Sequence, residues 1–403
     1  MDFSHDARTA ELVAAATAFR DERVLPAERV LDAQLAATPD QWGYRPVVGE
    51  LQAAARARGL WNLFLTGDTP GGAGLTNLQY APVAEVTGWS PRLGPVAFNC
   101  SAPDTGNMDL LAQFGTPEQK ERWLEPLLTG TIRSSFCMTE PDVASSDATN
   151  IATRVRPDGD HYVITGRKWW STGAMNPDAA VFVVMGKTDP DAARHRQQSM
   201  VLVPRDTPGV RIVRHLTTFG YDDRDHGGHA EIAFDDVRVP AANLVGGEGD
   251  GFAIAQARLG PGRIHHCMRA IGMAERALAL VRERARGRVA FHRPIAEQGV
   301  VREWVAESRI QLEALRLLVL KTAWLMDTVG NKQAMTEIQA IKIAVPRAVQ
   351  TILDRSIQVF GAAGLASDQP IAEMFAGARA LRLADGPDEV HLSALGKAEM
   401  RRS

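Results

Sequence analysis

The hydrophobic pattern of this chain changes period twice, and that order constrains the fold more than any single motif. From Thr9 to about Gly130 the chain is rich in Ala and Leu at helical spacing, and Leu12, Ala15, Ala16 and Phe19 make one apolar stripe. A cluster of turn formers, Gly67-Asp68-Thr69-Pro70-Gly71-Gly72, interrupts it as a loop. From about Ser134 to Val239 the period shortens to two. VRPDGDHYVITG reads as a hairpin around Asp158-Gly159, AVFVVMG and SMVLVPR as short β runs, and EIAFDDVRVP alternates again. From Ala241 long helical periodicity returns in IQLEALRLLVLKTAWLMDTV and EIQAIKIAVPRAVQTILDRSIQVF, where Pro346 marks a kink or a helix start. Helices, then a β unit, then helices is an α+β order. It argues against βαβ alternation and so against a dinucleotide-binding doubly wound sheet. No internal repeat is evident.

Composition narrows the class. The 403 residues allow two or three structural units with a large core. The net charge of -3, from 48 acids and 45 bases, gives no footprint for nucleic acid. The 3 cysteines, Cys100, Cys137 and Cys267, lack CxxC spacing and cannot all pair, which fits a reducing compartment and argues against a zinc site. The N-terminal MDFSHDARTAELVAA carries acids in its first turns, unlike a secretory or transit segment, and no uncharged run approaches the roughly 18 residues of a membrane span. The expectation is a soluble, cytoplasmic protein.

Several tempting motifs are weak. The glycines of 246–251 are not followed by Gly-Lys-Ser/Thr and read as a structural turn. His226-Gly-Gly-His229 lacks a third ligand, so no metal is expected. No GxSxG surrounds a serine, and no cysteine has a His partner nearby in sequence. Two stretches carry more. FCMTEPDVASSDATNI is dense in hydroxyls (Thr139, Ser145, Ser146, Thr149) that suit a large ligand with many acceptors. GRKWWSTGA offers Trp169-Trp170 for stacking on a planar ring and Ser171-Thr172 for its edge, although core packing of a strand is the plainer reading and alternation lets only one Trp point inward. Near the C-terminus, LRLADGPDEVHLSALG sets one carboxylate, Asp385, at the end of an apolar run and follows it with a Gly386-Pro387 break. Alone, that stretch reads more readily as a solvated helix end than as an acid held in a pocket.

Together these stretches resemble the acyl-CoA dehydrogenase family. FCMTEPDVASSD looks like the family's flavin loop, one residue longer than its commoner form, and KWWSTG like its second flavin strand. ARLGPGRIHHCMR, FGYDD and LADGPDEVHLSA resemble the branch of members ten and eleven, which in animals is fused to a kinase-like domain; this chain has no room for one. The resemblance implies an N-terminal helical domain (1–132), a middle β-barrel domain (133–240) and a C-terminal four-helix bundle (241–403). It implies FAD, with an acyl-CoA along the flavin.

Residue by residue, the resemblance implies that Phe136, Met138, Thr139, Ser145 and Ser146 line the flavin, Ser146 also meeting the substrate, and that Trp170, Ser171 and Thr172 cover the ring's other side. It implies that Arg288 and Phe291 reach a neighbouring subunit's FAD, and that Gln358 and Gly361 touch its pyrophosphate. A cofactor completed by two chains implies a homodimer at minimum and usually a homotetramer. Asp385 falls at the family's catalytic glutamate, with the Gly386 N–H as a donor to the thioester oxygen. Burial would raise its pKa towards working pH. Pro387 stands where a flavin-facing threonine is usual, Glu389 matches a cofactor contact, and the alternative base position falls near Gly262, which cannot serve. Arg263 matches an arginine near the substrate, its plainer reading being a bundle salt bridge.

His266 or His265 could meet an oxygenated acyl tail such as a 4-hydroxyacyl-CoA, and long-chain or branched acyl groups are open too. Electron-transfer flavoprotein is the implied acceptor. Two rivals remain: a flavin monooxygenase or oxidase on the same scaffold, and a non-catalytic CoA- or flavin-binding assembly protein.

Overall fold

The structure, a computed structural model, describes residues 4–67 and 69–401. The first three residues of the N-terminal reading and Asp68 of the Gly/Pro loop lie outside the described residues. The chain folds as two compact units, one of residues 1–26, 75–95 and 260–403, the other of 27–74 and 96–259.

The second unit is organised by an eight-stranded sheet: β1 (Arg133–Cys137), β2 (Arg154–Asp158), β3 (His161–Thr172), β4 (Ala179–Lys187), β5 (Gln198–Pro204), β6 (Val210–Leu216), β7 (His229–Pro240) and β8 (Leu244–Val245). The order is β6-β7-β3-β2-β4-β5-β8, with β1 parallel to β4. The expected hairpin forms between β2 and β3. Asp158 pairs with His161, so Gly159 and Asp160 make the loop, and Gly159 takes φ +63°, which glycine adopts without strain. Inward-facing Ile164, Phe182, Val184, Val201, Ile232 and Phe234 build the core under the sheet. Strict alternation fails in several places, among them a β-bulge between Lys168 and Ser171 that leaves both of these fully buried.

The first unit is helical. Helix Asn77–Gly88 opens with a Thr76/Gln79 capping box, and Asp327 accepts from the Asn77 and Leu78 N–H groups. It meets helix Gly251–Gly287 at two glycines. A Cβ on Gly272 would fall 1.9 Å from the Glu85 carbonyl, and one on Gly88 would fall 2.1 Å from that of Arg269. Only glycine permits this approach, which fixes where Arg263, His265 and His266 stand. Helices Ala7–Phe19, Gly299–Val329, Met335–Phe360, Ile371–Leu381 and Asp388–Glu399 also belong to the unit. Pro346 does not start a helix: it is buried inside the unbroken Met335–Phe360 helix, where the apolar stripe Ile338, Ile341, Val345, Val349, Ile352 outweighs the local cost of a missing N–H. Among the described residues no helix is long and apolar enough to cross a membrane, and no cluster of His, Cys, Asp and Glu could hold a metal ion.

Candidate active site

In the helical unit the site is a turn. Helix Ile371–Leu381 ends, and the chain passes through Asp385 at φ +54° and Gly386 at φ +101° before Pro387 starts the next helix as its N-cap. Two successive positive φ values explain the residues chosen. Aspartate is among the few side chains that visit the left-handed region, and a Cβ on Gly386 would lie 2.8 Å from His391 Nε2.

Three buried donors, two of them cationic, hold the turn by its carbonyls. Arg263 Nη2 (3.3 Å) and His391 Nε2 (3.2 Å) donate to the Asp385 carbonyl, and Lys342 Nζ donates to those of Leu381 (2.6 Å) and Gly386 (3.2 Å). Burial, with Arg263 beside it, lowers the His391 pKa to about 4, so its ring is neutral near pH 7 and can donate from only one nitrogen. Burial likewise pushes the Lys342 ammonium down. The Asp385 side chain stays about 21% exposed, with His266 Nε2 3.3 Å from Oδ2. The next carboxylate is committed elsewhere. Asp388 is buried, and its Oδ2 accepts from Arg347 Nε and Arg382 Nε at 2.8 Å each. Arg263 therefore binds the turn itself rather than a bundle carboxylate, and of the two adjacent histidines only His266 reaches the acid. His265 packs edge-on against Tyr80 in the core, 4.8 Å between ring centres.

Exposed Arg288 precedes a small hairpin of β9 (Val289–Ala290) and β10 (Arg293–Pro294), whose turn is Phe291 and His292, both at positive φ, with Phe291 90% exposed. Gln358 and Gly361 lie at the exposed end of helix Met335–Phe360, Gly361 at φ +65°, and Glu389 is exposed in the first turn of the last helix. Pro387 is half-buried, and nothing crowds Gly262, whose lack of a side chain bars it as a base.

In the β unit, the hydroxyl-rich loop leaves β1 and is clamped to β3 by a buried ion pair. Lys168 Nζ lies 2.8 Å from Glu140 Oε1, with side chains 0% and 4% exposed, and also donates to the Met138 carbonyl at 2.9 Å. Glu140 further accepts from the Ala152 and Thr153 N–H groups at 2.7 and 2.9 Å. Burial alone would raise the Glu140 carboxyl, but the Lys168 ammonium and these donors hold it below the ordinary value. Both residues sit inside the two motifs, yet the sequence reading passed over them. A Lys and a Glu in strand-like surroundings look like solvated charges until their burial is seen.

The clamp leaves Thr139 and Ser146 exposed, with Met138 and Phe136 half-buried and Arg258 stacked over the Phe136 ring at 3.9 Å. Ser145 is used internally: it accepts from the Glu140 N–H at 2.8 Å. Ser171 is fully buried against the Cys137 thiol. The bulge turns Trp170 outward at φ +52°, 40% exposed, while the Trp169 indole N–H is buried without an acceptor. A side chain of this size at positive φ is strained, and such strain collects at functional positions. An open aromatic face, exposed hydroxyls and an unanswered buried N–H fit a planar, acceptor-rich group such as FAD.

Comparison with known proteins agrees. The acyl-CoA dehydrogenase N-terminal, middle and C-terminal domain models match residues 7–131, 135–237 and 249–400. The chain is 55% identical over 403 residues to "Probable acyl-CoA dehydrogenase FadE2" of Mycobacterium tuberculosis, covering 100% of this chain and 98% of that protein. It is 54% identical over 387 residues to human "Acyl-CoA dehydrogenase family member 11", covering 95% of this chain and 49% of that one, so it spans about half the length of that relative. The butyryl-CoA dehydrogenase structure from Megasphaera elsdenii superposes with a TM-score of 0.84 at 27% identity, over 100% of both chains. The chain belongs to the acyl-CoA dehydrogenase family and is an FAD-dependent oxidoreductase.

Proposed function

We propose that the chain dehydrogenates an acyl-CoA thioester to the trans-2-enoyl-CoA, with Asp385 as the base that takes the α-proton. The observation that carries this reading is the Asp385 turn: a partly exposed carboxylate whose backbone is held at its own carbonyl by Arg263 and His391. A base works only when oriented within hydrogen-bond reach of its proton, and three buried donors, Arg263, Lys342 and the neutral His391, orient this turn. Bound FAD supplies the acceptor for the β-hydride. The Gly386 N–H is the donor proposed for the thioester oxygen as charge develops there. Thr139, Ser146, Trp170 and Thr172 contact the cofactor, with Phe136 and Met138 as its apolar wall. Ser145 serves through the Glu140 N–H that it holds, and Ser171 through its place in the buried bulge beside Trp170.

The 90% exposure of Phe291 supports a further part of the reading. Arg288, Phe291, Gln358 and Gly361 complete the FAD site of a second copy, and Glu389 is a further cofactor contact, which makes a homodimer the minimum and a homotetramer the working assembly. We take the functional division as 1–132, 133–240 and 241–403, the acceptor as electron-transfer flavoprotein, and the compartment as cytoplasmic. His266, a polar group beside the base, supports acyl groups oxygenated at C4 within a long-chain or branched class.

An anaerobic spectral titration with a panel of acyl-CoAs, run beside Asp385→Asn, tests the core. The flavin band of the wild type should bleach, and the variant should lose about 10²–10⁴-fold in rate. A flavin that binds and never bleaches would favour a monooxygenase or an acyl group outside the panel, and no flavin at all would favour an assembly protein. For the acyl group, kcat/KM for 4-hydroxyacyl-CoA over plain acyl-CoA should fall in His266→Ala; an unchanged ratio refutes that part.

A further inference from the structure

The two histidines of His226-Gly-Gly-His229 do not converge as ligands. His226 Nδ1 lies 3.2 Å from Asp225, whereas His229 turns to β3. The glycines between them make that possible. Gly227 and Gly228 both take positive φ, and their carbonyls accept from Met175 N (2.9 Å) and Gly173 N (2.8 Å). A Cβ on Gly227 would lie 2.5 Å from Asn176 Cβ, and one on Gly228 2.5 Å from the Trp42 ring. His229 is thereby placed opposite Thr172, the last residue of β3, and 5.4 Å from the Trp170 ring. Its Nδ1 lies 2.9 Å from Thr172 Oγ1, and its Nε2 lies 2.7 Å from Asp223 Oδ2. The result is a hydroxyl–imidazole–carboxylate line within one unit.

The line has a direction. Nε2 faces a carboxylate and Nδ1 a hydroxyl, an order that the Nε2–H tautomer satisfies at both ends, with Nε2 donating to Asp223 and Nδ1 accepting. Thr172 owns one proton and gives it to Nδ1. The other charges around the ring are already paired: Asp222 with Arg224, Asp225 with His226, and Glu231 with Arg167 and Arg214. We infer that His229, oriented by Asp223, is a positioning residue that turns the lone pairs of the Thr172 hydroxyl, rather than its proton, toward the flavin edge. This rests on the reading that Thr172 contacts the flavin. The edge nitrogen of an oxidised flavin is an acceptor and that of a reduced flavin carries N–H. A hydroxyl fixed as acceptor therefore favours the reduced cofactor and pulls dehydrogenation forward.

The test is the midpoint potential of the substrate-free FAD-loaded protein, measured by dye equilibration. His229→Leu frees the Thr172 proton and should disfavour the reduced form about tenfold, which for a two-electron couple is about 30 mV more negative. His229→Asn offers a carbonyl where Nδ1 was and should return to within about threefold of wild type. In a Thr172→Val background, adding His229→Leu should change nothing further. FAD bound with an unchanged or raised potential in His229→Leu overturns this inference and leaves the flavin reading intact. A shift that persists in the Thr172→Val background overturns it too. A wild type that retains no FAD overturns both.

Discussion

Replacing Lys168 with Met tests the clamp under the hydroxyl-rich loop that follows β1. The ammonium is 0% exposed and its partner Glu140 is 4% exposed, so the substitution leaves a buried carboxylate with two backbone N–H donors and no counter-ion. Breaking a buried pair from one side costs about 3–5 kcal/mol. The two remaining donors place the expected loss near the lower bound, about 3 kcal/mol. The pH dependence fixes the cause. In the wild type Glu140 titrates below its ordinary 4.5, so its contribution is present above that value and lost as pH falls through the lower folded value. Without Lys168, desolvation dominates and the folded carboxyl titrates above 4.5; its penalty is then largest near neutrality and shrinks on acidification. The gap between wild type and Lys168→Met, read by urea denaturation of the apoprotein with tryptophan fluorescence, should narrow from pH 7.5 to pH 5.5. Lys168→Met/Glu140→Gln should recover more than half of the loss, and FAD retention should follow the same order. A cost below about 1 kcal/mol, or a gap independent of pH, would refute the reasoning.

Gly386→Ala should cost about 2–4 kcal/mol, from a residue forced to φ +101° and a methyl 2.8 Å from His391 Nε2, and should cut turnover more than acyl-CoA binding; thermal denaturation and kcat/KM check it. His391 should set an acid limb. Its folded pKa of about 4 lies below the unfolded 6.5, so its stability contribution is whole above pH 6.5 and drains as pH falls toward 4, by about 3 kcal/mol in all. His391→Gln should flatten the stability–pH curve in that window, and an unchanged slope would count against the assignment. Gly272→Ala should destabilise by more than about 3 kcal/mol or prevent folding, because its methyl would meet the Glu85 carbonyl at 1.9 Å; expression and melting temperature report it.

The sequence by itself determined the order of helical, β and helical segments, because the two periods follow directly from backbone geometry. It also marked Asp385 as unusual, since a lone acid before Gly-Pro breaks the helical pattern. What it could not determine was how long-range contacts override local rules. Pro346 reads as a kink or a helix start and is buried in mid-helix because a packed stripe outweighs one lost hydrogen bond. Trp169 and Trp170 read as an alternating pair, but a bulge buries Lys168 and Ser171 together and swings Trp170 out. Lys168, Glu140, Lys342 and His391 look like ordinary surface residues until the fold removes water from them, and desolvation is a property of neighbours far along the chain. His229 was weighed as a ligand in its own motif, yet its partners, Thr172 and Asp223, are chosen by strand register and a glycine-built turn. Local sequence sets periodicity and breaks; only tertiary structure decides which charges are dry and which polar atoms face one another.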